Sequence, residues 1–211
     1  MLGTNLERRI CLACLTAALA AFRAGAADGG LPASAWEVKV RRVEGPDVLP
    51  TTWANIAVGT NQFAVNVPDG FRYDPSPSGE GVTLVSLDYA KVIVFRIFDS
   101  AATEDKTVDS SACKEALLGR FAGAKVLSES SERVGGSFGP CIELQWTGPS
   151  GVAQRGRFIF CSSRAGVLEF SITCRPEKWG EAQTDLTPVL SLFRQSDPQG
   201  IIKLPVLSNK L

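Results

Sequence analysis

Few residues in this sequence are placed to do covalent chemistry. Ser111-Ala-Cys-Lys114 has S-x-x-K spacing, in which a lysine one helical turn on takes the serine proton in some exported acyl transferases. With 18 Ser and 8 Lys among 211 residues, about 0.7 such matches arise by chance, and the companion S-D-N and K-T-G motifs are absent. An ordinary amphipathic helix explains the spacing equally well. Histidine is missing altogether, which removes Ser-His-Asp and Cys-His catalysis, His-ligated zinc and switching near neutral pH. Gly79-Glu-Gly81 lacks the third glycine of a dinucleotide loop, and no G-x-x-x-x-G-K-[ST] occurs. Asp99, Glu104, Asp105 and Asp109 gather at a predicted helix start, where carboxylates suit the helix dipole and lack EF-hand spacing. No enzyme activity, cofactor or metal site is expected.

The cysteines divide by position. Cys11 and Cys14 form C-x-x-C inside an apolar run that reads as an export signal. Arg8 and Arg9 precede the uncharged stretch Ile10 to Phe22, and Ala24-Gly25-Ala26 makes an A-x-A cleavage site. Residues 1–26 are therefore expected to be a signal peptide rather than a transmembrane anchor, which needs about 20 apolar residues without a charge such as Arg23. Lipid attachment at Cys14 is a poorer alternative. Cleavage removes Glu7 and three arginines and leaves 185 residues with 19 basic and 21 acidic, enough for one core. The whole chain has 22 of each sign, so no global field favours nucleic acid or an anionic surface.

Cys113, Cys141, Cys161 and Cys174 remain, an even number in a chain expected in the periplasm or outside the cell. Strand alternation sets Cys141 opposite Ile142, Leu144 and Trp146, and Cys161 out of phase with Phe158 and Phe160. Cys174 is in phase with Leu168, Phe170 and Ile172. The expected disulfides are Cys141–Cys161 and Cys113–Cys174, with buried free thiols as the alternative.

Other residues are candidates for binding. Arg155 and Arg157 share a strand face opposite Phe158 and Phe160, a strip suited to an acidic partner or to cross-strand ion pairs. Phe71 and Tyr73 lie beside a Pro/Ser/Gly loop, and with Trp53 and Trp179 they are partner anchors or caps on the core.

The elements that must position these residues follow from periodicity. Strands are expected at Trp36 to Val43, Asn61 to Val67, Val82 to Leu87 and Lys91 to Phe98, the last two as a hairpin apolar on both faces. A helix is expected from about Thr107 to Phe121 and ended by Gly123, followed by an edge-like strand Lys125 to Val134. An antiparallel meander should follow over Cys141 to Thr147, Gln154 to Ser162 and Val167 to Cys174. A second helix should carry Leu186, Val189, Leu190 and Phe193, with Asp185 as its N-cap. The last apolar residues, Ile201-Ile202 and Leu204 to Leu207, would add an edge strand or fray.

This order implies an α+β fold, a mostly antiparallel twisted sheet with helices packed on its faces as an α/β/α sandwich. It resembles the PsbP-like fold of the photosystem II extrinsic protein, a Ran-binding import factor and bacterial envelope proteins. The likeness rests on Phe63-Ala-Val-Asn-Val-Pro68-Asp-Gly70-Phe71 and Leu190-Ser-Leu-Phe193-Arg194. It implies residues 61–194 as the domain, 27–60 as an extension with one strand, and 195–211 as a tail. It further implies a non-catalytic binding or assembly module whose partner is another envelope or secreted protein. A small-ligand, lipid-type carrier with a pocket between sheet and helices is the alternative, and a Ser-Lys hydrolase stands third.

Overall fold

The computed structural model describes residues 36–45, 48–75, 81–98 and 107–196. The export signal with Cys11 and Cys14, the acidic residues Asp99, Glu104 and Asp105, and the apolar tail lie outside the described residues.

Strand β1 (Trp36–Gly45) pairs antiparallel with β2 (Val48–Val58), and β2 with β3 (Asn61–Val67). The extension expected to carry one strand thus carries two. Pro50 and two alanines obscure the alternation of β2, although Ala54, Ile56 and Val58 are buried on one face. Proline costs little where it stands: pairing to β3 begins only at Thr52, and the β1 partner carries a register shift between Val43 and Gly45.

After β3 the chain turns at Pro68-Asp69-Gly70, where Gly70 takes φ +77° and the Phe71 N–H donates to Pro68 O at 3.0 Å. That corner leads into a second sheet. Its strands are β4 (Phe71–Asp74), β5 (Gly81–Ser86), β6 (Lys91–Phe98), β7 (Lys125–Val134), β8 (Ser137–Thr147), β9 (Ala153–Ser163) and β10 (Gly166–Cys174). They lie in the order β4-β5-β6-β10-β9-β8-β7, while a short β11 (Arg194–Ser196) closes the first sheet against β3. The α+β architecture is the one expected, mostly antiparallel sheet with helices on its faces, and its strands divide into a four-stranded and a seven-stranded sheet.

Helix α1 (Ser110–Arg120) starts at Asp109, whose carboxylate accepts from Ser111 N–H at 2.9 Å. It covers one face of the large sheet, where Leu117 and Phe121 pack on Ile142, Leu144, Phe158 and Phe160. Helix α2 (Trp179–Leu192) covers the other face together with the small sheet, and Phe63, Phe95, Phe170 and Phe193 meet in the larger core between them.

Helix α2 begins six residues before the expected cap at Asp185, after a 3-10 turn at Pro176–Lys178. An interior proline such as Pro188 costs about 3 kcal/mol. Burial of Trp179, Ala182, Leu186, Val189 and Leu190 offsets it, at roughly 1.5–3 kcal/mol for each large side chain. Asp185 binds Lys91 Nζ at 2.6 Å instead of capping, with Glu181 at 3.4 Å, and so ties the helix to β6.

Candidate functional site

The β7–β8 hairpin turns at Gly135-Gly136, and its turn docks on the end of α2. Gly135 has φ +57° and donates its N–H to Leu190 O at 2.9 Å; a Cβ there would sit 3.1 Å from Phe193 O. Between hairpin, β9 and helix runs a groove of about 540 Å³, with Arg133, Arg157 and Arg194 around a floor of Leu186 and Leu190. A second hollow of about 410 Å³, walled by Cys161, Leu168 and Phe193, shares Gly135 and Arg194 with it.

Arg155 and Arg157 reach this face of the sheet, as their phase predicts, but both are committed to cross-strand pairs. Arg155 donates to Glu143 at 2.8 Å and lies 4.3 Å over the Trp179 ring. Arg157 donates Nε to Cys141 Sγ at 3.1 Å and Nη2 to Glu132. Burial pulls the Arg157 pKa down, but the Cys141 hydrogen bond and the two nearby carboxylates hold it above its usual value.

Two arginines that the sequence reading does not name as binding residues complete the groove. Arg133 is exposed, donates Nε to Gly135 O at 3.0 Å and lies 6.0 Å over the Phe138 ring. Arg194 donates Nη1 to Ser191 O at 3.3 Å and to Phe193 O at 2.8 Å, at the C-terminal end of α2. Phe138, at 70% exposure, is the most exposed large apolar side chain among the described residues. The Gly135-Gly136 turn was the available signal, since it brings Arg133 and Phe138 to one end of one hairpin.

The other candidates lie apart. Phe71 and Tyr73 belong to β4, at the opposite edge of the sheet from β7, and pack against the larger core. Lys91 Nζ is 5.7 Å from the Phe71 ring, and burial, then Asp74, raises the Tyr73 pKa. Trp53 and Trp179 are buried, so these aromatics are core residues and core caps. Ser111 is exposed on α1, and Lys114 Nζ is 2.9 Å from Glu129 on β7, so the amine is engaged by a carboxylate from another element. Among the described residues no three His, Cys, Asp or Glu side chains gather as a metal site.

The four described cysteines are free in this structure, so neither expected disulfide, Cys141–Cys161 or Cys113–Cys174, is formed in it. Cys113 packs in the smaller core under α1 and Cys174 in the larger core, on opposite faces of the sheet, so those two cannot meet. The strand phases were read correctly; the face covered by α1 was not. Cys141 and Cys161 do share a face, but Cys141 pairs with Ile159, which makes Cys161 its diagonal neighbour. Diagonal positions lie about 7–8 Å apart, beyond the usual disulfide span of about 4.4–6.8 Å between Cα atoms. Burial pushes the Cys161 thiol up to about 12 and those of Cys113 and Cys174 up to about 11.

This chain is similar in arrangement to several solved structures. Cyanobacterial PsbP from Synechocystis sp. PCC 6803 is 13% identical, over 81% of this chain and 98% of that one, with a TM-score of 0.45. LpqN, involved in cell envelope biogenesis of Mycobacterium tuberculosis, is 11% identical over 76% and 92%, with a TM-score of 0.42. PA94, a Pseudomonas aeruginosa protein of unknown function, is 13% identical over 70% and 91%, with a TM-score of 0.38. No family model and no curated protein matches the sequence. Identities and scores this low leave ligand, partner and activity to the chain's own residues.

Proposed function

We propose that the protein is an exported, non-catalytic binding or assembly module that engages another envelope or secreted protein through its surface. The observation that supports this reading is Phe138, 70% exposed beside Arg133 at a hairpin tip that its tie to Leu190 holds against α2. Aromatic and arginine side chains on a rigid element are the usual anchors of a protein interface. No helix among the described residues is long and apolar enough to cross a membrane.

Site-specific photocrosslinking in cells tests the reading. A crosslinker at position 138 is expected to give one discrete adduct, absent from position 115 on α1 and competed by unmodified protein but not by Phe138→Ser. Equal labelling at both positions, or none, refutes the interface. Export is tested on the same preparation: a mature chain beginning at Ala27 is expected, and an intact Met1 on cytosolic protein refutes it.

A second reading, a small-ligand carrier, is favoured by the groove. Its volume of about 540 Å³ falls within the roughly 300–1,000 Å³ typical of ligand pockets.

A further inference from the structure

We propose that the groove between α2, the β7–β8 hairpin and β9 is an oxyanion site, taking a phosphate or carboxylate group either free in solution or on a lipid head. The proposal rests on the ligand-carrying reading above and adds the ligand's charge and the residues that meet it.

Charge balance carries the argument. Four guanidiniums, Arg133, Arg155, Arg157 and Arg194, line or adjoin the groove, against two carboxylates, Glu132 and Glu143. Both carboxylates are already engaged by Arg157 and Arg155, and two positive charges are left over. These fall on Arg133 and Arg194, neither of which has a carboxylate partner among the described residues.

Donor geometry points the same way. The Arg133 fork is held at Nε by Gly135 O, and the Arg194 fork at Nη1 by two backbone carbonyls. Each keeps terminal N–H groups with no protein acceptor among the described residues. A guanidinium already tethered at one nitrogen loses less entropy when its other nitrogens grip an anion, and two-point binding of oxyanions suits its planar fork. Leu186 and Leu190, both nearly fully buried, form a floor that excludes water on one side and strengthens the charged hydrogen bonds above it.

The adjoining hollow distinguishes the two sources of the anion. Its walls mix Leu168 and Phe193 with Ser137, Ser162 and Gln195, and it meets the groove at Gly135 and Arg194, so the part of a lipid next to its head has room there. A free anion needs only the groove.

The test uses the mature protein with inorganic phosphate by titration calorimetry. In parallel it uses sedimentation with phosphatidylcholine vesicles, with and without phosphatidylglycerol, all at low ionic strength. Binding of either phosphate or the anionic vesicles is expected, weakened about tenfold in each of Arg133→Gln and Arg194→Gln, since a charge-assisted hydrogen bond contributes on that scale. Arg133→Lys should restore binding only in part. Arg41→Gln, at an exposed position on β1, should match wild type and controls for general loss of charge. Phosphate binding alone assigns the site to a free anion, and vesicle binding alone to a lipid head. Failure of both probes, or binding that survives the double variant with an unchanged circular dichroism spectrum, overturns the oxyanion site. Equal binding to neutral vesicles, insensitive to the arginines, also overturns it while the ligand-carrying reading stands.

Discussion

Replacing Gly139 by alanine tests how the β7–β8 hairpin is seated. Gly139 follows Phe138 on β8 and is buried against β9. A Cβ at this position would lie 2.8 Å from the Phe160 carbonyl carbon and 3.2 Å from Cys161 Cα, well inside the shell of the Phe160 carbonyl oxygen. All of these are backbone atoms of a central strand, so no side chain can rotate away and β8 must part from β9. Overpacking costs about 1–3 kcal/mol, and each ladder hydrogen bond lost adds about 1 kcal/mol, for a total of roughly 3 kcal/mol. With a urea m-value of about 2 kcal/mol/M for a chain of this size, the unfolding midpoint should fall by about 1.5 M. Tryptophan fluorescence follows the transition through buried Trp53 and Trp179. Gly136→Ala is the control, because nothing lies within 4 Å of its Cβ, and it should stay within about 0.5 kcal/mol of wild type. A Gly139→Ala midpoint within about 0.3 M of wild type, at unchanged slope, would refute the close approach of the strands.

Three further outcomes are expected. Burial lowers the Lys91 pKa, but Asp185 and then Glu181 outweigh it and raise the value above the usual 10.5. The stabilisation from this group is therefore complete below about pH 10.4 and disappears as pH rises through the higher folded value, so the stability gap between wild type and Lys91→Met should close only in strong alkali; a gap closing near pH 8 sinks the assignment. For the thiols, iodoacetamide at pH 8 should leave folded protein nearly unlabelled at Cys113, Cys161 and Cys174 and should add four groups to unreduced, denatured mature protein. A native disulfide would show as two fewer. A fluorophosphonate probe should leave Ser111 unmodified, and labelling that vanishes in Lys114→Met would restore the hydrolase reading.

Much of the secondary structure was legible in the sequence. Asn61–Val67, Lys91–Phe98 and Lys125–Val134 are strands at the bounds that alternation predicts, and the hairpin and three-strand meander pair as expected. Alternation also sorted Cys141 and Cys161 from Phe158 and Phe160, because the side-chain period of a strand is a local property. Less was legible where local signals conflict. Pro50 and alanines hid β2, and α2 starts six residues before the expected cap at Asp185 and runs through Pro188, since the packing of Trp179 and Ala182 offsets the proline's cost.

The candidate site was only half visible. Arg155 and Arg157 announce themselves by sharing a face, yet their carboxylates, Glu143 and Glu132, come from two other strands. Arg133 and Arg194 look like ordinary surface charges until the β7–β8 turn hydrogen-bonds Leu190 and brings a hairpin edge against a helix end about fifty residues later in the chain. The order of residues determined by itself which segments extend, which coil and which face each side chain takes. Tertiary structure decided which face each helix covers, which cysteines are out of reach of one another and which arginines are left without a counter-charge, since these depend on contacts between segments remote in the chain.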